Sequence, residues 1–134
     1  MAAGLLDTSV VIDWDDPAVM AALPDESAVS AITLAELAAG PHLASDAVER
    51  ARRQARLQQA ESLFDPIPFD AAAARSFGQV IAAVAAVAAP GRSHRSGVAD
   101  LLIAATAHAN HLALYTRNPG DLAGIEAVVT VVAL

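Results

Sequence analysis

The sequence predicts an α/β fold in which a mainly parallel sheet is sandwiched by helices. Three observations carry that prediction. Short β-like apolar runs alternate along the chain with longer runs of helical periodicity, the pattern of successive βα units. Gly4-Leu5-Leu6 is short, apolar and followed at once by polar residues, as suits a buried strand reaching its end. The chain has 134 residues, 55% of them apolar, which is one domain (residues 1–134) able to bury a core without staples.

Taken in order, the strand at Gly4–Leu6 is followed by a helix start over Ser9 to Trp14. Ala28-Val29-Ser30 reads as a second short strand. Ile32 to Ala39 reads as a helix, stopped by Gly40-Pro41, a usual termination signal. Ser45 to Leu63 sets Ala47, Val48, Ala51, Ala55, Leu57, Ala60 and Leu63 among charges, which makes an amphipathic helix. Pro66-Ile67-Pro68-Phe69 is confined by its two prolines to an edge strand or an extended connector. Asp70 caps a helix running through Ala89, whose apolar second half is expected to be buried. Pro90 to Gly97 is a polar loop and the best candidate for a mobile segment. Val98 to Asn110 is a helix almost without charge. Leu112 to Tyr115 and Ala127 to Val132 complete the strands.

Composition excludes several functions. With no Cys, there are no disulfides, thiolate zinc sites or Cys nucleophiles. All eight basic residues are Arg and none is Lys. That removes Schiff-base lysines, P-loop nucleotidases and receiver domains that need a lysine beside their phosphoacceptor. Residue 9 is Ser where an Asp-nucleophile phosphatase of D-x-D-x-T pattern needs its second Asp. A net charge of −7 argues against a protein that coats nucleic acid through a broad positive field. It leaves room for an enzyme that grips a phosphodiester through metal ions. The N-terminus lacks a basic region and Asp7 interrupts its apolar stretch. A signal peptide is therefore not expected, and the protein reads as cytoplasmic and soluble.

Four carboxylates sit where a carboxylate is odd. Asp7 follows Leu5-Leu6 directly. Glu36 lies between Leu34-Ala35 and Leu37-Ala38-Ala39. Asp100 is the lone charge from Val98 to Ala107. Asp121 comes just past the strand that ends at Tyr115. All four fall near the strand ends where a doubly wound sheet places its ligands. Each also has a plainer reading. Asp7 is a good helix cap. Thr33-x-x-Glu36 has capping-box spacing, the reading the local pattern favours. Asp100 suits the positive end of a helix dipole, and Asp121 suits a turn after Pro119-Gly120. Together they say more. Clustered carboxylates raise one another's pKa, a conflict that a hard divalent cation removes. Such an ion can activate water against a phosphodiester. Asp13, Asp15 and Asp16 read as a solvated helix end before Pro17. His94, His108 and His111 show no metal-ligand spacing, and the last two suit a helix terminus.

These runs resemble the motifs of PIN-domain ribonucleases, in particular the VapC toxins of type II toxin–antitoxin systems. Leu6-Asp7-Thr8-Ser9-Val10-Val11-Ile12 is similar to the opening motif. Thr33-Leu34-Ala35-Glu36-Leu37 with Gly40 is similar to the second. The run from Arg92 through Asp100 to Ala107 resembles the third. Tyr115-Thr116-Arg117-Asn118-Pro119-Gly120-Asp121-Leu122 resembles the fourth, with Leu122 where the family more often has Phe.

The resemblance implies a three-layer α/β/α PIN-like fold with four to five strands. It implies Mg²⁺, or Mn²⁺ in its place, on Asp7 and Asp100, with Glu36 and Asp121 completing the acidic, catalytic pocket. Within such a site Thr8 or Ser9 would orient Asp7 or a water. Thr116, Arg117 and Asn118 would support the fourth motif, the last two positioning a phosphate or holding Asp121. The implied activity is endonucleolytic RNA cleavage by a metal-activated water, neutralised by a cognate antitoxin, in a chain that forms homodimers and larger toxin–antitoxin assemblies. An RNA-processing PIN nuclease without an antitoxin, and an inactive PIN-like binding module, are the alternatives. The filled acidic positions count against the second of these.

Few cations are left to hold RNA. Arg92, His94 and Arg95, before the Asp100 helix, are the candidates for phosphate contact. Arg50, Arg53 and Arg56 share a helical face that reads as solvated, with Glu49 and Glu61. The helix pair Ile32–Ala39 and Ser45–Leu63 offers apolar faces to an antitoxin segment. The long Ala-rich helices offer an equally good dimer surface.

Overall fold

The computed structural model describes residues 3–87 and 97–134. Its order is β1 (Ala3–Leu6), α1 (Thr8–Ile12), α2 (Pro17–Ala22), β2 (Glu26–Ala28), α3 (Ala31–Ala39), α4 (Ala47–Leu63), α5 (Ala71–Val87), α6 (Val98–Ala109), β3 (Ala113–Thr116) and β4 (Val131–Ala133). Short 3-10 turns lie at Gly40–Leu43, Pro119–Leu122 and Ile125–Ala127. The four strands form one sheet in the order β2-β1-β3-β4, and every pairing is parallel.

Alternation along the strands divides the core in two. Leu5 and Leu114 face one side, with Val80 and Val84 of α5 and Ile103, Ala104 and Ala107 of α6. Leu6 and Tyr115 face the other, with Val10 and Val11 of α1, Val19 of α2, Leu37 of α3 and Ala60 of α4. Both Leu5 and Leu6 are fully buried, which is possible only when helices cover both faces of the sheet. At about 1.5–3 kcal/mol for each such side chain, consecutive leucines fix β1 as the central strand. Gly4 is required by close packing, since a Cβ there would overlap the Tyr115 ring on β3. The expected α/β/α layering is therefore the fold, with four strands.

Several element boundaries differ from those the sequence suggests. The second strand is Glu26–Ala28, not Ala28–Ser30. Ser30 instead accepts a hydrogen bond from the Thr33 amide at 3.1 Å and caps α3, and it forms a single parallel bridge to Ile67. The segment Pro66–Phe69 is thus an extended connector. The first helix stops at Ile12, with Asp13 as its C-cap. A separate helix, α2, starts at Pro17 under an Asp16 cap whose carboxylate accepts from the Ala18 amide at 2.9 Å. Asp16 is thus a structural cap, not part of a merely solvated helix end. The last strand begins at Val131, because Ile125–Ala127 forms a 3-10 turn that sends Ile125 and Val129 into the core. Helix α4 starts at Ala47, capped by Asp46, and α5 is capped by Asp70 as expected. Among the described residues, no helix is long and apolar enough to cross a membrane.

Candidate active site

Sheet order decides where a ligand can sit. From β1 the chain first builds β2 on one side, and β3 then pairs on the other. The crevice beyond the carboxyl ends of β1 and β3 is a topological switch point, where open α/β sheets bind ligands. Asp7 is the first residue past β1, and its amide continues the ladder by donating to the Tyr115 carbonyl at 2.9 Å.

The Asp7 carboxylate is held by short-range donors. Its Oδ1 accepts from the Thr8 amide at 2.8 Å. Its Oδ2 accepts from the Ser9 hydroxyl at 2.9 Å and the Thr116 hydroxyl at 2.8 Å. Thr116, the last residue of β3, is fully buried, and Asp7 is buried with it. Two further amides fix the hydroxyls. Asn118 donates its amide to Thr116 Oγ1 at 3.0 Å, and Arg117 donates its amide to Ser9 Oγ at 3.1 Å. Asp7 therefore caps α1 and also belongs to a network that ties two strand ends together.

Glu36 belongs to the same crevice. Its Oε1 accepts from the Thr8 hydroxyl at 2.7 Å, and Thr8 Oγ1 lies 3.0 Å from Thr33 Oγ1. The capping-box reading of Thr33 and Glu36 is thus overturned. Ser30 is the cap, Thr33 stands inside the first turn, and Glu36 reaches α1 rather than its own helix start. Thr8 thus serves Glu36 through its hydroxyl and Asp7 through its amide, while Ser9 and Thr116 hold Asp7 through their hydroxyls.

Asp100 sits in the first turn of α6. Its carboxyl is pushed up to about 6, first by burial and then by the negative charges of Asp7, Glu36 and Asp121, while a backbone hydrogen bond at Gly97 works the other way. Carboxylates from three other stretches of the chain thus act on Asp100 after folding. Like charges this close oppose ionisation unless a cation joins them.

The remaining sequence candidates divide. The Arg117 guanidinium is engaged by Asp13 at 2.9 Å and Asp16 at 3.4 Å, so it braces α1 and α2 rather than presenting itself as a phosphate clamp. Asn118 acts through its amide on Thr116. Arg92, His94 and Arg95 lie outside the described residues, as does most of the loop Pro90 to Gly97. His108 pairs through Nδ1 with Ser76 Oγ at 2.7 Å, joining α6 to α5 at the end of the sheet away from the acidic crevice. The expectation that Arg53 and Arg56 lie on a solvated face does not hold. Both are half-buried and line a cavity of about 320 Å³ together with Thr8, Ile12, Glu36, Leu37, Gly40 and Glu49. Helical spacing had put them on one face, but only the packing of α4 shows that this face closes on Glu36.

The donor set fits a hard divalent cation. It consists of carboxylate oxygens, and oxygen ligands are what Mg²⁺ and Mn²⁺ prefer. Among the described residues, no three acidic or imidazole groups are gathered tightly enough to enclose an ion alone. Mg²⁺ does not require that, because it commonly binds one or two carboxylates and completes its shell with water and substrate phosphate.

Comparison with known proteins agrees with this geometry. A family model described as the PIN domain matches residues 4–124. Ribonuclease VapC8 of Mycobacterium tuberculosis is 38% identical over 104 residues, covering 78% of this chain and 89% of that protein. Ribonuclease VapC5 of the same organism is 34% identical over 132 residues, covering 97% and 93%. The crystal structure of VapBC-5 from M. tuberculosis, a member of the VapBC family of toxin-antitoxin systems, superposes with a TM-score of 0.80 at 34% identity over 100% of this chain and 98% of that one. The chain belongs to the PIN-domain family, in its VapC branch.

Proposed function

We propose that the chain is a divalent-metal-dependent endoribonuclease and the toxic half of a toxin–antitoxin pair. The observation that carries the reading is the convergence of Asp7, Glu36 and Asp121 on Asp100 at the sheet's switch point. The likeness to two proteins named ribonucleases supports RNA as the substrate class. The likeness to a VapBC complex supports an antitoxin as partner. The cytoplasm, where RNA and a small antitoxin meet, is the proposed place of action, with homodimers assembling into the larger complex.

Asp7 and Asp100 would hold Mg²⁺ or Mn²⁺, with Glu36 and Asp121 completing the acidic pocket. When bound, the ion supplies positive charge for the scissile phosphate and lowers the pKa of water. The chain's own part is orientation. Ser9 and Thr116 aim Asp7 Oδ2, and Thr8 holds Glu36, so neither carboxylate must be ordered when substrate arrives. Glu36, its carboxylate held by the Thr8 hydroxyl, would accept the proton of the attacking water. In this reading water attacks the scissile phosphorus, the bridging P–O bond breaks, and no covalent enzyme intermediate forms.

The test is RNA cleavage with Mg²⁺ by Asp7→Asn and Asp100→Asn. Both are expected to keep the fold, seen by far-UV circular dichroism, and to lose cleavage. Wild-type cutting rates in either variant would refute the assignment of the site.

A further inference from the structure

The acidic crevice repels the substrate that it is proposed to cut, so the grip on RNA must come from elsewhere on the chain. Within a protein of net charge −7, the cavity between α1, α3 and α4 is, among the described residues, a place where arginine side chains share a lining with Thr8 and Glu36. At about 320 Å³ it lies at the lower end of the range for ligand pockets. Thr8 and Glu36 line it together with Arg53 and Arg56.

The two arginines are not equivalent. Arg53 donates through Nε to Glu49 at 3.0 Å and through a terminal nitrogen to the Gly40 carbonyl at 2.9 Å. Glu49 in turn also accepts from Arg52 at 3.2 Å. Glu49 is thus answered by two guanidinium groups, and Arg53 is a fixed wall. Arg56 is half-buried and makes no hydrogen bond or ion pair among the described residues. Its stem also borders the gap next to Val11, Trp14 and Phe64. A half-buried guanidinium presents five donors in a planar fork, and it is stabilised most by an anion that can take two of them. Ile12, 45% exposed, and Leu37 give the cavity an apolar wall.

We propose that Arg56 grips the backbone phosphate of a nucleotide flanking the scissile bond, so that this cavity is a second subsite for single-stranded RNA continuous with the acidic crevice. The inference rests on the nuclease reading for its choice of ligand. The sugar of that nucleotide lies over Ile12 and Leu37, and the fixed Arg53 adds a positive wall without direct contact. An acidic protein segment is the competing occupant. The lining favours RNA, because Arg56 shares the cavity with Thr8 and Glu36, two residues of the proposed nuclease site.

The experiment is fluorescence anisotropy of a labelled single-stranded RNA dodecamer across a salt series. It uses the Asp100→Asn background with EDTA, so that the probe stays intact. Arg56→Met keeps the apolar stem and is expected to weaken binding about tenfold at low salt. It should also flatten the slope of log Kd on log salt by about 0.7, the contribution of one phosphate on a single strand. Arg56→Lys should restore the slope and part of the affinity. Equal affinity and slope for all three proteins would overturn the proposal, as would no RNA binding at all. Loss of hexaglutamate binding in Arg56→Met with RNA binding unchanged would also overturn it, and would assign the cavity to an acidic peptide. Wild-type cleavage assayed in parallel separates the two readings. RNA cut equally well with and without Arg56 keeps the nuclease and rejects the subsite. Arg56-dependent binding without any wild-type cleavage keeps the subsite and rejects the nuclease.

Discussion

Replacing Asp100 by Asn should make the metal-free protein more stable at neutral pH, although it removes a residue of the proposed active site. The carboxyl is raised from 3.8 to about 6, a shift of about two pKa units. At 1.36 kcal/mol per unit the ceiling on its cost is ~3 kcal/mol. The group is only half-buried, and solvent screening reduces that to ~1–2 kcal/mol. The sign follows from linkage. Between about pH 4 and about pH 6 the folded chain holds the Asp100 proton more tightly than the unfolded chain does, so stability falls as pH rises through that window. Asn carries no such cost. Urea unfolding in EDTA should therefore show wild type and Asp100→Asn equal near pH 4, with the variant ahead by ~1–2 kcal/mol at about pH 7.5. Adding Mg²⁺ should close the gap by stabilising wild type more than the variant, by up to ~2.7 kcal/mol at a hundredfold excess over Kd. A variant that is less stable than wild type at neutral pH, or a gap that does not change with pH, would refute the idea that the Asp100 charge is opposed by burial and by its three acidic neighbours.

Other substitutions probe the supports. Thr116→Val removes the 2.8 Å donor to Asp7 and the acceptor of the Asn118 amide. It should cost ~1–3 kcal/mol in denaturant unfolding, and Thr116→Ser should recover most of it. Thr8→Val leaves Glu36 without its 2.7 Å hydroxyl donor; RNA cleavage should fall ten- to a hundredfold (~10–100 from misplacement) with the circular dichroism spectrum unchanged. Leu6→Ala empties a fully buried position on the central strand and should cost ~2–5 kcal/mol, measured as a drop in thermal midpoint.

The layers were legible because β1 and α6 are written in two different periods. Leu5-Leu6 can be buried at consecutive positions only in a sheet covered on both faces, and Val98 to Ala109 can be nearly charge-free only as a helix inside that cover. The boundaries were less legible, because apolarity marks burial and not conformation. Val128-Val129 reads as part of a strand, yet its apolar side chains are consumed by a turn against α5. Val29 pulls the second strand toward the core, yet β2 pairs through Glu26–Ala28, and Val29 belongs to the approach to α3. Helix α2 had a signal that could have been used, since Asp16-Pro17 is a cap followed by a proline at the first helical position.

The site shows the same division between what spacing fixes and what packing decides. Asp7 and Asp100 are charges inside apolar runs, and such a charge is too costly to sit there without a partner or a purpose. Each also had a plainer reading as a cap or dipole partner, so it was their shared position near one predicted sheet edge that singled them out. Glu36 was ambiguous because Ser30 and Thr33 both offer cap chemistry at workable spacing. The choice fell to Ser30, whose hydroxyl meets the Thr33 amide, and this frees Glu36 to reach Thr8 on another helix. Arg56 was misjudged for a physical reason that would apply to any amphipathic helix. Three-residue spacing shows that Arg53 and Arg56 share a face, but the meaning of a face depends on what packs against it. Glu49 cancels part of the charge locally, so a count along the helix looks like an ordinary solvated surface. Once α4 packs beside α3, Arg56 is left without a carboxylate partner among the described residues, and it lines the cavity that also holds Glu36. An acidic nuclease needs a cation in such a place. Under the proposed function a bound divalent ion would neutralise the phosphate being cut, and the neighbouring phosphates would be held by the chain itself.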